Sequence, residues 1–599
     1  MFRKKSHIIA RILTGIIILL LVFSACNSLR NPQRNSNNLV SSAIQNEFDK
    51  FLNNLFVNRV CADSLSLNYS LANPESFGIE VTKASLGEYS IASMNKELFV
   101  LENCYNRLLS FDFDKLSQEQ QLTYRILKGY LEDNMDLSAN LYYNECLGPT
   151  TGIQAQLPIL LAEYNFYSKA DIEQYINLLP CVYDYFLDIV EFEKEKSALG
   201  LFMNDKVAKR IIDQCKAFIE NPNDNFLIKY FNDKIMAFKG LSESEVLYYK
   251  AANKAAVLNY VIPAYKMLAR ELTALLGTGT NSAGLYYYPQ GRDYYASLIR
   301  IKTGSGRDME DIIKLLDNAI NNGILKITAL SLTDPSLLNK YLSFKSFPLT
   351  DPEEIIKDLK KSIAKDFPEA VNVNCNIKYV PKSLSEYLSP AMYLVPPIDN
   401  YTENNIYING NDAKTLSKIY TTVAHEGYPG HLYQCTYFRS KNPSPIRNIM
   451  NFPGYDEGWA TYVEMYSYHL AGIDERLAQF LEANNIVILC MYARADIGIH
   501  YEGWTKARTV NYVSNFIEND EIAEVIYDTL LEEPGVYLPY AVGYLEIMEL
   551  RKKAENALGD KFAAKDFHTF LLDIGPAQFD IIEEYMDFWL NTKSLAKAG

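Results

Sequence analysis

The chain has 599 residues, 48% hydrophobic and 22% charged, with 44 Tyr against 3 Trp and a formal net charge of −15. That length and balance describe a globular protein able to bury a large core and hold more than one subdomain. So acidic a chain lacks the broad basic face that a phosphate backbone requires, and no nucleic-acid partner is expected.

Residues 1–25 read as an export signal: basic MFRKKSHIIAR, then apolar ILTGIIILLLVFSA, then Cys26. The cysteine directly after Phe23-Ser24-Ala25 resembles a bacterial lipobox, which implies cleavage before Cys26 and acylation of its thiol. The expected location is the extracytoplasmic face of the cell membrane, held by lipid. An uncleaved anchor helix is the alternative, because the apolar run is only just long enough to span. Of nine cysteines none forms a C-x-x-C pair, which disfavours a cysteine zinc site or a thioredoxin-like site.

Residues 26–40 are polar and Asn-rich and read as a membrane tether. Residues 41–275 form a helical subdomain. LSQEQQLTYRILKGYLEDNMDL and KADIEQYINLLPCVYDYFLDIVEFEKEK space apolar residues by three and four, and Asp171 suits a helix N-terminus. Gly277, Gly279 and Gly284 end that run; GTG lacks the Lys-Ser/Thr of a phosphate loop. Residues 276–599 form a second helical subdomain containing a short β element at about 371–409, from VNVNCNIKYV, AMYLVPP and NNIYIN. The fold class is therefore mainly α: a large multi-helix protein with a small sheet just before a His-Glu segment. Such a sheet edge can pair with an extended peptide, or serve only as a structural flap.

The His-Glu segment is His425-Glu426-Gly427-Tyr428-Pro429-Gly430-His431. Two imidazoles four residues apart share one helical face and bind zinc; here they are six apart, so a regular helix fails. Pro429 cannot donate to the carbonyl of His425, and Gly427 and Gly430 tolerate unusual backbone. A two-residue bulge could return His431 to the His425 face; otherwise YPG ends the helix and both histidines are polar surface residues. Glu457 follows 26 residues after His431, beyond turns at NPSP and FPG, where an antiparallel helix could bring it back as a third ligand. Glu464, two turns on, could orient a ligand histidine or be a surface carboxylate. Asp456 is the less favoured ligand.

Further along, Asp496 and His500 stand at i and i+4, so the carboxylate could hold the imidazole as a transition-state donor; a satisfied helix histidine is the plainer reading. Tyr540 and Tyr544 share a face, where a hydroxyl could support an oxyanion or simply pack. Arg551 could hold a substrate carboxylate or a structural acid. No G-x-S-x-G nucleophile elbow occurs.

Taken together, SPAMYLVPPID, HEGYPGH, DEGWATYVE, ADIGIH, YAVGYLEIMELR and FHTFLLDIG make residues 280–590 resemble the bacterial family known as domain of unknown function 885. That family is helix-rich and similar to gluzincin metallopeptidases, although its histidine spacing is wider. The resemblance implies that His425, His431 and Glu457 hold one Zn2+ and that Glu426 is the general base, with His500 and Tyr540 on the oxyanion side. Its implied activity is a zinc metallopeptidase on peptide substrates. A non-catalytic ligand-binding lipoprotein and a zinc amidase or esterase on other substrates are the alternatives.

Overall fold

The structure is a computed structural model that describes residues 32–81, 83–380, 390–410 and 413–595. The expected signal and Cys26 lie outside these residues. The described chain is helical with one small sheet, as the periodicity predicts.

In chain order the elements used below are α1 Pro32–Val60, α2 Ile91–Leu109, α3 Gln118–Leu137, α4 Ile153–Glu163, α5 Lys169–Leu178, α6 Cys181–Ala198, α7 Asp205–Ile219, α8 Ile262–Leu275, α9 Gly291–Thr303 and α10 Met309–Thr333. Then come β1 Asn374–Tyr379, β2 Ala391–Leu394, β3 Glu403–Ile408, α11 Tyr420–Glu426, α12 His431–Ser440, α13 Pro453–Ser467, α14 Glu475–His500, α15 Asp520–Glu532, α16 Leu538–Leu558 and α17 Ala564–Ile574.

Local chemistry explains the boundaries. Ser117 and Gln120 close a reciprocal capping box at the start of α3, each side chain accepting the other's backbone N–H. Asp171 does the same for Ser168 at α5. Pro180 splits the single periodic run expected over 169–196 into α5 and α6, because it interrupts the helical hydrogen-bond ladder. The polar tether expected over 26–40 is helical from Pro32 onward; no Gly or Pro interrupts 33–60.

Two main cores organise the molecule. One is built from α6, α7 and α8, with Phe186, Ile211 and Leu268 buried together. The other joins Phe48 and Leu131 of the first helices to Tyr295, Leu316, Trp459, Val463, Val542 and Ile547. The apolar faces of α1 and α3 thus pack with the C-terminal helices, and the cores do not divide at residue 275.

The three strands fall where the alternating segments predict, in spatial order β1-β3-β2. β1 is parallel to β3 and β2 antiparallel to it, with Met392 opposite Tyr407. β2 is therefore an edge strand, and it packs against α11, the helix carrying His425.

α13 and α16 touch backbone to backbone. A Cβ on Gly458 would lie 2.5 Å from the carbonyl carbon of Gly543, and one on Gly543 would lie 2.0 Å from the Gly454 oxygen. Only glycine permits that approach. It seats Glu457, beside Gly458, against Tyr540, one turn before Gly543.

Candidate metal centre

The His-Glu segment breaks rather than bulges. α11 ends at Glu426, residues 427–430 form a tight bend, and α12 begins at His431. The expected bulge within one helix is corrected to two short helices meeting at a corner. Gly430 lets the corner close: a Cβ there would lie 1.8 Å from the His425 carbonyl oxygen. The indole Nε1 of Trp459 donates to the Pro429 carbonyl at 2.9 Å and ties the bend to α13.

His425 lies in the last turn of one helix and His431 opens the next, and their rings meet edge to face with centroids 4.8 Å apart. His425 is fully buried, while the His431 side chain is 14% exposed. α13 brings Glu457 between them: its Oε2 is 3.4 Å from His425 Nε2 and 3.6 Å from His431 Nε2. One ligand atom from each of the three residues lies within 4.8 Å of the others. Two atoms each about 2.1 Å from a tetrahedral zinc stand about 3.4 Å apart, so both carboxylate–imidazole separations suit a shared cation. Two imidazoles and one carboxylate are also the donor set of catalytic zinc sites.

Glu464 lies behind this cluster. Its carboxylate pairs with His425 Nδ1 at 3.0 Å. That contact favours the proton on Nδ1 and leaves Nε2, the nitrogen facing Glu457, as the donor atom. Glu464→Gln is expected to lower zinc affinity about tenfold to a hundredfold without unfolding the protein, as read by competition with a chelating dye. Unchanged affinity would make Glu464 a packing residue.

Glu426 is 1% exposed and enters the wall of the same cavity. Its Oε2 accepts the Tyr393 backbone N–H at 3.0 Å, from the outer edge of β2. Its Oε1 has no hydrogen-bond partner among the described residues. Tyr540 also lines this cavity, and its phenol is hydrogen-bonded to Glu457. Burial first, then the charges of Glu457 and Glu426, push that phenol well above its usual value, so it remains a donor. The cavity measures about 460 Å3, within the range of small-ligand sites.

Other expected residues sit elsewhere. His500 is absent from the cavity wall: its Nδ1 accepts the Leu285 N–H at 3.1 Å and its Nε2 faces the Leu530 carbonyl at 3.0 Å. Burial pulls it down to about 4, so it is a neutral core imidazole. Asp496 does not hold His500. It accepts from the Tyr295 hydroxyl at 2.5 Å and from the Gly535 N–H at 2.9 Å, and burial raises it to about 7. The i, i+4 spacing misleads here because the side chains turn to partners from α9 and the loop before α16. Asp456 accepts from Gln434 at 2.7 Å, and Arg551 pairs with Glu555 and donates to the Tyr462 hydroxyl. Sequence reading passes over the Tyr393 N–H, since a backbone donor leaves no residue signature. It also passes over Arg447 and Asn448 in the cavity wall, which sit in an ordinary polar turn.

A family model described as "Bacterial protein of unknown function (DUF885)" matches residues 74–586. The chain belongs to that family. The match reaches well upstream of residue 280, in keeping with a core that joins early and late helices. A crystal structure described as a "putative lipoprotein" from Colwellia psychrerythraea superposes on this DUF885 chain with a TM-score of 0.80 and 18% identity, covering 92% of this chain and 99% of that one. A "putative lipoprotein of unknown function" from Shewanella oneidensis gives a TM-score of 0.62 and 16% identity, covering 89% and 98%. At such identities the likeness is one of fold. No curated protein matches the chain. No helix among the described residues is long and apolar enough to cross a membrane.

Proposed function

We propose that this DUF885 protein is a zinc-dependent hydrolase, a gluzincin-like metallopeptidase acting on peptide bonds outside the cytoplasmic membrane. The observation that carries the reading is the convergence of His425, His431 and Glu457 from three helices, with the Glu426 carboxylate in the same cavity wall. These three would hold the ion, which when bound supplies Lewis acidity toward a carbonyl and a water of lowered pKa.

Glu426 has one oxygen fixed by β2 and the other without a partner among the described residues. That oxygen takes the proton of the water whose oxygen attacks the amide carbon. It then gives the proton to the amine nitrogen as the C–N bond breaks. Tyr540 keeps its proton and, on turning from Glu457, donates it toward the oxygen that gains charge. His500, expected in that role, has both ring nitrogens engaged by backbone and takes no part in this scheme. Residues 392–395 also line the cavity along the β2 edge, which suits an extended peptide better than a compact acyl substrate. The Cys26 motif, together with the lipoprotein descriptions of both solved relatives, supports a lipid anchor on the outer face.

Metal analysis of the purified protein, paired with a peptidase assay, tests the reading. The expected result is one zinc per chain and cleavage of peptides that chelation abolishes and zinc restores. A protein that binds peptides but neither holds metal nor cleaves them would be a ligand-binding lipoprotein instead.

A further inference from the structure

The same cavity contains a cation that the hydrolase reading does not use. Arg447, on the turn between α12 and α13, is 3% exposed and lines the cavity with Asn448, which is 6% exposed. Its Nη2 donates to the carbonyls of Ile574 and Pro576, at 2.7 Å and 3.2 Å, at the end of α17. Among the described residues its Nε has no hydrogen-bond partner and no carboxylate forms an ion pair with it. The Asn448 Nδ2 beside it in sequence is likewise buried without a partner.

A purely structural arginine would account for the Nη2 bonds to the helix end and for the guanidinium lying 5.4 Å over the Phe438 ring. It does not account for the Arg447 Nε–H and the Asn448 amide donor, both buried and unmet in residues that line one cavity wall, since unmet buried donors are costly. Burial draws Arg447 down to about 10, so it is still charged at neutral pH. A guanidinium N–H and an amide N–H from consecutive residues are donors suited to a carboxylate.

We propose that Arg447 and Asn448 bind a carboxylate of the substrate, so that the enzyme prefers peptides bearing a free acid near the cleaved bond. This rests on the peptidase reading for the word substrate but not for the binding itself. The acid could be a C-terminal carboxylate or the side chain of Asp or Glu.

Two matched sets of short N-acetylated peptides test it, one with free C-termini and one amidated, each made with Glu or with Gln. Binding is read as thermal stabilisation of zinc-loaded Glu426→Gln protein, and cleavage with the unaltered enzyme. Free-acid peptides are expected to bind about tenfold to a hundredfold more tightly than amides, the range for hydrogen bonds to charged groups. A preference for C-terminal acids identifies the chain end; a preference for Glu over Gln regardless of terminus identifies the side chain. Arg447→Lys and the milder Asn448→Leu are each expected to erase the preference, and Asn448→Leu removes no bond that holds α17. Selective binding without cleavage would uphold the carboxylate site while sinking the peptidase. Equal binding of acids and amides, or no binding of either, overturns the proposal even if cleavage is observed.

Discussion

Replacing Glu426 by Gln is expected to leave zinc bound and to lower kcat by about a hundredfold to ten-thousandfold, the range for losing a positioned general base. The substitution keeps the size of the side chain and its acceptor for the Tyr393 N–H, so the β2 contact survives. What disappears is the capacity to take a proton. Glu426 is not one of the three converging ligand residues, so metal content is expected to stay at the unaltered level. KM is expected to change little, because the base acts on water rather than on the substrate. Turnover at the unaltered rate would mean that another group moves the proton. Lost metal would place Glu426 among the ligands.

Gly458→Ala is expected to destabilise the protein by about 3 kcal/mol, the upper end of typical overpacking penalties, and to weaken the metal site with it. The added methyl would meet Gly543 backbone, not the end of a yielding side chain, so α13 and α16 must part. Their separation moves Glu457 away from both imidazoles and Tyr540 away from Glu457. Thermal unfolding together with zinc stoichiometry checks this; an unchanged midpoint and full zinc would show that the helices can slide without cost. Ala460→Gly, a change of similar size two residues on, serves as the control, because it removes a methyl instead of adding one.

How much of this was legible beforehand varies by physical type. The helices and the three strands were readable because periodicity reports a buried face directly. The meeting of His425, His431 and Glu457 was readable because histidine and glutamate beside glycine and proline in a helical frame contradict local propensity, and such conflicts gather at functional sites. The form of the corner was not, since Gly430 sits against the His425 carbonyl through a contact that spacing does not encode. Asp496 and His500 show the opposite failure. Their spacing was right for a pair, yet Tyr295 and Gly535 took the carboxylate while backbone atoms took the imidazole. Arg447 was silent because an arginine in a polar turn becomes informative only once its burial and missing acid are known.

The cavity wall includes Thr151, Gln156 and Ile159, more than 260 residues before His425 in the chain. Glu533 accepts the N–H groups of Thr150 and Thr151, at 2.7 Å and 2.8 Å, and Arg210 pairs with Glu532. Early and late parts of the chain therefore enclose one chamber together. A fragment covering residues 276–599 would carry His425, His431, Glu457 and Glu426, but it would open a flank of the chamber to water and leave Glu532 and Glu533 without their counterparts.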